Sequence, residues 1–518
     1  MYKKFIFGFA GSVFILMIGI GIVNLIVDPY NIWRLYQRVG FNQWSPKAED
    51  LDRLIQPIVF RRVQPKALFL GTSQVIWGIE PSEYTRLTGD SAYNLAMLGA
   101  SVYEIRRMLE HAIALDDNLH EVFVCVNFEL FAANAEHPIA EKKTAFDEEQ
   151  IGKWFITWDN IAKTLFSWQA LKDSIDTVRD NKIHHYECTY YMPTGRWHDD
   201  SIERYCQNRK WQFNASMAIM ARANYYFENM QIDERCMGEM KRIVDLCNEH
   251  GLKLTVYTMP SHARSMQLYA DAWPVYEEWM RRMVEIVPVM NFSGYNDMTM
   301  SEAELGLLTK DSNPYFWDSH HANSYVGNLV LAVLAGEQIV SPIMGTLVTQ
   351  DNVEAWLAAF EAGRIHWEKQ HPESVEEIRY YKGFSRIEPM ALQGRTPMRG
   401  QSVVRLDPES GVERLSISLP HSAALDLTGE RLTPINASKT MYALLEREDG
   451  TCYYAMAEPI LSPAIASFMH NKKYEMNGFR ILEPLREVEV GRYNLCLIEV
   501  VENGLVYQSD SLAVIEIK

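Results

Sequence analysis

Four loop segments carry side chains suited to acyl chemistry. Leu70-Gly71-Thr72-Ser73-Gln74 ends a short apolar run and sets a hydroxyl two residues beyond a glycine, which permits a tight turn and close substrate approach. Far downstream, Trp317-Asp318-Ser319-His320-His321-Ala322 spaces Asp318 three residues before His321. A carboxylate so placed can hold one imidazole nitrogen while the other faces a nucleophile. Serine is a poor nucleophile until such an imidazole takes its proton. The oxyanion that follows needs aimed donors, each worth roughly 10²–10³ in rate. Ser73 N–H, Gly99 N–H in Ala96-Met97-Leu98-Gly99-Ala100, and the Asn127 amide in Val126-Asn127-Phe128 are the candidates. Pro260-Ser261-His262 ends another strand on the same rim, so His262 is a candidate substrate contact. Each residue also has a plainer reading. Ser73 and Asp318 are common helix caps, Asn127 a turn residue and His262 a loop residue. His184, His185, Cys188, His198 and Asp199 lack the spacing of a standard metal site, and no metal or cofactor is expected.

These loops need a frame. Ala67–Leu70, residues 91–96, 121–128, 252–260 and 287–292 are short apolar or β-branched runs that predict strands. Helical spacing separates them at residues 103–115, 237–250 and 273–286. Strands alternating with helices predict an α/β fold with a mainly parallel sheet covered on both faces. Such sheets bind ligands at the carboxyl ends of their strands, where the segments of Ser73, Gly99 and Asn127 fall, with the Asp318–His321 loop far downstream. Residues 140–235 are rich in Trp, Tyr and charge without a strand series, and read as a helical insertion within a 28–340 domain. Residues 341–400 read as a helical connector, and 401–518 as a β-sandwich of short alternating runs.

The whole chain has 518 residues, 12% aromatic, with a formal charge of −17. That balance argues against nucleic-acid binding, which Lys and Arg drive. Mean hydropathy of −0.19 excludes a polytopic membrane protein. The exception is Phe5 to Val27, an uncharged run long enough to cross a hydrocarbon core of about 30 Å. Lys3 and Lys4 before it predict a cytoplasmic amino terminus and an exported body. A cleaved signal peptide is the competing reading, against which stand the length of the run and the lack of a small-x-small cleavage site. Residues 1–27 are therefore read as a single transmembrane anchor. Of seven cysteines, Cys188 with Cys206, or Cys452 with Cys496, are possible disulfides in an oxidising compartment.

The segments LFLGTSQVIWGIEPSEY (68–84), YNLAMLGASVYEI (93–105), VCVNFELF (124–131), YTMPSHAR (257–264) and WDSHHANSYVGNLVL (317–331), with Asp28-Pro29-Tyr30 after the anchor, resemble the SGNH (GDSL-like) hydrolase superfamily. The similarity covers roughly residues 28–335. It is closest to the membrane-anchored bacterial branch that includes the alginate O-acetylation proteins and the D-alanine transfer protein of teichoic acid modification. The resemblance implies a three-layer α/β domain with Ser73 as nucleophile, Gly99 and Asn127 as oxyanion donors, and Asp318 with His321 completing the site. The nucleophile block reads GTS rather than GDS, and Asn127 lies in VNF rather than G-x-N-D. The implied activity is an exported acyltransferase or esterase for O-acyl groups of a cell-surface polysaccharide. The alternative is a non-catalytic scaffold or glycan-binding partner of a polytopic membrane acyltransferase.

Overall fold

A computed structural model of the chain describes residues 2–45, 47, 51–134, 151–153, 157–183, 192–199, 202, 209–225, 230–301, 315–337, 345–392, 396–397, 404–406, 415–431, 438–462, 466–467, 477–501 and 506–518. Within these residues the chain is mixed α/β, with an apolar amino-terminal helix and a strand-rich carboxy-terminal region. The helix, Tyr2–Val27 (α1), has 26 residues and is long and apolar enough to cross a membrane.

A six-stranded sheet organises the middle of the chain. Its strands are Ala67–Leu70 (β1), Ala92–Asn94 (β2), Glu121–Cys125 (β3), Lys253–Tyr257 (β4), Val289–Asn291 (β5) and Thr346–Val348 (β6). The order is β2-β1-β3-β4-β5-β6. The first five strands are parallel and β6 runs antiparallel on the edge. β1 and β3 are buried along their whole length, as expected of strands covered on both faces. Helices at Val102–Leu115, Glu234–Glu249 and Trp273–Ile286 bury their apolar stripes against one face. The helices that carry the site pack on the other, with Phe69, Phe123 and Tyr257.

Residues 341–400, read as a helical connector, are helical over Val353–Gln370 and Pro372–Tyr381 and add an edge strand that the sequence reading did not include. Thr346–Val348 joins the sheet, and the helices Val353–Gln370 and Pro372–Tyr381 bury Trp367 and Tyr380 in the main core. A three-residue edge strand is too short to leave a periodic signal. That core continues into Tyr442, Tyr454 and Ile498 of the carboxy-terminal region, so the stretch cements two parts of the molecule. The carboxy-terminal region holds a four-stranded and a seven-stranded sheet that share a second core through Phe479 and Ile481 of one and Leu495 and Ile515 of the other. A buried Arg431–Glu499 ion pair also joins them.

Part of the 140–235 stretch lies outside the described residues, including His184, His185, Cys188 and Cys206. Its described parts are largely helical, with Trp168–Ile183 and Arg209–Tyr225 the longest pieces. Met230–Ile232 pairs antiparallel with Ala132–Asn134, a ribbon not foreseen there. No disulfide joins Cys452 to Cys496. Strand Ser438–Glu446 lies between their two strands, which puts the backbones two strand spacings, about 9–10 Å, apart. A disulfide spans at most about 7 Å between Cα atoms.

Candidate active site

Strand order reverses direction at β1 and β3, the crevice where open parallel sheets bind ligands. Ser73 follows β1 and Asn127 follows β3, so both stand at its mouth. The turn between β1 and Ser73 is possible because residue 71 is glycine. A Cβ there would lie 2.6 Å from Val75 Cγ2 and 3.0 Å from Cys125 Cβ. Thr72 is extended, and Ser73 opens the six-residue helix Ser73–Gly78. As the first helical residue, Ser73 has a main-chain N–H with no intrahelical acceptor.

Such a short helix has few internal bonds, and side chains from elsewhere satisfy its carbonyls. Asn94 Nδ2 donates to Val75 and Ile79 carbonyls at 2.8 and 3.0 Å. Buried Arg196 donates to the Trp77 carbonyl at 2.8 Å. Gly327, in the helix Ser324–Leu334, lets the two helices touch. A Cβ on Gly327 would stand 1.6 Å from the Gly78 carbonyl oxygen. Backbone cannot yield there without displacing the helix that Ser73 opens. Gly327→Ala is therefore expected to cost about 3 kcal/mol or more, the upper range for overpacking. A lowered thermal midpoint accompanied by weaker covalent labelling of Ser73 is the expected readout.

Asp318 and His321 lie in a tight reversal closed by an antiparallel bridge between Phe316 and Ala322. Trp317 N–H donates to the His321 carbonyl at 2.8 Å. Asn323, not Asp318, caps the following helix, accepting from Val326 N–H at 3.1 Å. Asp318 is free to turn inward, where it is buried. Its Oδ1 accepts the main-chain N–H groups of His320 and His321, both at 2.8 Å. Its two oxygens lie 2.9 and 2.8 Å from His321 Nδ1. On the other side of the ring, His321 Nε2 is 2.8 Å from Ser73 Oγ. Trp77 underlies the imidazole with ring centroids 4.1 Å apart. Burial works to raise the Asp318 carboxyl, but His321 and the two N–H donors outweigh it and hold the group below the ordinary carboxylate value. Asp318 is thus an ionised, buried acceptor under a half-buried imidazole and hydroxyl.

The structure brings Ser73, His321 and Asp318 into one chain of hydrogen bonds. Asn127 is joined to them through Gln74. Asn127 Nδ2 donates to Gln74 Oε1 at 2.5 Å, which leaves one amide hydrogen uncommitted. Gln74 Nε2 donates to Ser261 Oγ at 3.1 Å and to the His320 carbonyl at 2.8 Å. A single fully buried amide therefore ties the loops after β1, β3 and β4 to the histidine turn. The sequence reading passed over Gln74 as a site residue. Its signal was a lone amide preceding Val75-Ile76-Trp77, since a polar group buried in an apolar run must find partners.

Gly99 sits on the neighbouring loop. Met97 N–H donates to the Gly71 carbonyl at 3.1 Å, which aligns the two turns. Gly99 itself is exposed with φ of +56°, and its carbonyl accepts from Arg53 at 3.4 Å. It makes no direct bond to Ser73, His321 or Asp318. His262 is fully buried and both its ring nitrogens are engaged by main chain. Nδ1 accepts from Arg264 N–H at 3.2 Å, and Nε2 lies 3.0 Å from the Ser301 carbonyl. It caps a helix and leaves no ring nitrogen for a substrate, contrary to the expectation from its position after β4. Asp199 pairs with Arg196 and accepts from Ser324 at 3.2 Å.

Two imidazoles beside the site are held neutral. Burial pushes His262 down to about 4, and burial together with the neighbouring His321 pushes His320 down to about 3. In the unfolded chain both titrate near 6.5. Between these values and 6.5 the unfolded state binds more protons, so stability falls as pH drops through that window. His262 alone is expected to remove up to about 3 kcal/mol between pH 6.5 and 4. Thermal unfolding of the full chain in detergent, with His262→Asn as the comparison, measures it. The variant keeps a cap acceptor and should lose stability less steeply. Identical slopes would refute the assignment.

The chain matches no protein-family profile and no curated protein.

Proposed function

We propose that this chain is a membrane-anchored serine acyltransferase or esterase of the SGNH type, with its body exported and its substrate an O-acylated cell-surface polysaccharide. The observation that carries the reading is the Ser73 Oγ to His321 Nε2 separation of 2.8 Å, with Asp318 on the opposite ring nitrogen. Supporting it are the position of Ser73 at the β1/β3 switch point and the apolar helix ahead of the body.

Asp318 fixes the tautomer in which Nδ1 carries the proton, so Nε2 is the acceptor facing Ser73. His321 takes the hydroxyl proton as Ser73 Oγ attacks the acyl carbonyl. Ser73 N–H and the uncommitted Asn127 hydrogen stabilise the resulting oxyanion. The intermediate collapses to an acyl-serine, and the leaving alcohol oxygen receives the proton from His321. A sugar hydroxyl or water then gives its proton to His321 and takes the acyl group, and His321 returns that proton to the departing Ser73 Oγ, which restores the free enzyme.

The test is covalent. The purified full chain is treated with a fluorophosphonate and, separately, with p-nitrophenyl acetate and an acceptor oligosaccharide. One phosphonyl adduct on Ser73 and catalytic release of nitrophenol are expected. No adduct and no turnover would leave the constellation structural and favour the scaffold alternative.

A further inference from the structure

Nearly half of the exposed large hydrophobic side chains outside α1, among the described residues, come from two short segments. One is the loop after the helix, with Leu35, Tyr36 and Val39 exposed. The other is the helical stretch from Trp158, with Trp158, Phe166, Trp168 and Ile175 exposed. Trp158 is 84% exposed and Trp168 75%, which is costly for indoles in water.

Both segments are fastened to the same end of α1. Asn42 Nδ2 donates to the Ile26 and Val27 carbonyls at 3.1 Å each, which ties the loop to the last turn. Asn24, fully buried inside the apolar helix, donates to the Leu165 carbonyl at 2.7 Å and accepts from Ser174 Oγ at 2.8 Å. Gly21 admits Phe166, whose ring would lie 2.5 Å from a Cβ there. The last two turns of α1 are thus packed into the body rather than serving as a free tether.

Length sets the depth. From Phe5, past Lys3 and Lys4, to Asn24 the helix rises about 30 Å at about 1.5 Å per residue, one hydrocarbon thickness. The far boundary of a bilayer crossed by α1 therefore falls near Asn24, about one turn beyond Gly21 where Phe166 packs. Trp158, Trp168 and Tyr36 then lie at head-group level, where indole and phenol rings concentrate. Arg34 and Arg38, both exposed beside Leu35 and Val39, face the same layer and suit phosphate groups.

We propose that residues 33–41 and 158–175 form an interfacial collar, seated in the bilayer surface around the exit of α1. The collar converts a single span into a rigid mount that fixes the orientation of the body on the membrane. It does not depend on Ser73 chemistry.

The test uses the full chain in nanodiscs of phosphatidylethanolamine and phosphatidylglycerol. A photoreactive benzoylphenylalanine replaces Trp168 in one sample, Val39 in a second and Val490, an exposed site on the carboxy-terminal region, in a third. Several-fold more lipid adduct at positions 168 and 39 than at 490 is expected. Equal adducts at the three positions, or crosslinks at 168 and 39 to a second polypeptide, would overturn the collar. A native-side-chain control accompanies it: brominated lipid should quench the wild-type tryptophan emission more than that of Trp158→Phe/Trp168→Phe. Equal quenching also overturns it.

Discussion

Ser73→Ala should abolish acyl turnover, lowering kcat by about 10⁴-fold or more, because removing a nucleophile leaves only binding and oxyanion donors to act on water. The substitution removes one hydroxyl, which is bonded to His321. Ser73 is half-buried at the start of a helix whose later carbonyls are satisfied by Asn94 and Arg196. Alanine fits the first helical position without strain, so stability should change by less than about 1 kcal/mol. The paired measurements are nitrophenyl ester turnover and thermal midpoint. A large loss of turnover at constant midpoint separates a chemical role from a capping one. Fluorophosphonate labelling should vanish in the same variant. Retained turnover would place the chemistry elsewhere.

The serine and the Asp318–His321 spacing were readable because local rules expose them. A hydroxyl after an apolar run and a glycine, and a carboxylate three residues before an imidazole, are short-range signals. β1 and β3 were readable for a related reason: strands buried on both faces are continuous apolar runs bounded by turns. The bonds that hold the site together are of another kind. Gln74 meets His320 across 246 positions and Ser261 across 187, and no periodicity carries that information. His262 shows the converse. Its place after β4 suggested a cleft residue, but two main-chain partners, one of them 39 positions away, turn it into a cap. Strand β6 failed for length, and the Cys452–Cys496 pairing because sheet order intervenes between strands close in sequence spacing. The apolar character of α1 is evident in the sequence, but nothing local shows that Asn24 is buried against Leu165 and Ser174, 141 and 150 positions away.

Asp318→Asn should be nearly as damaging as loss of the serine, by about 10⁴-fold in kcat, and for a tautomeric reason. Asp318 Oδ1 already accepts from two main-chain N–H groups at 2.8 Å. An asparagine would keep those bonds by placing its carbonyl oxygen there. Its amide nitrogen would then face His321 Nδ1, a donor where an acceptor is needed. The ring must respond by accepting at Nδ1 and carrying its proton on Nε2, the nitrogen that faces Ser73. An imidazole so protonated cannot take the serine proton, although no atom has moved. The carboxylate also stabilises the imidazolium formed during attack, a contribution the neutral amide lacks. Because Asp318 is buried beneath the ring, KM should stay close to wild type while kcat falls. Asp318→Ala supplies the contrast. It lets water bond Nδ1 and restores the productive tautomer, while losing the positioning bonds and leaving the His320 and His321 N–H groups without their acceptor. Ring orientation and tautomer then separate as causes. If Asp318→Asn matches wild type in kcat, His321 is not the base. If it is inactive and Asp318→Ala retains more turnover, the wrong tautomer, rather than a displaced ring, accounts for the loss.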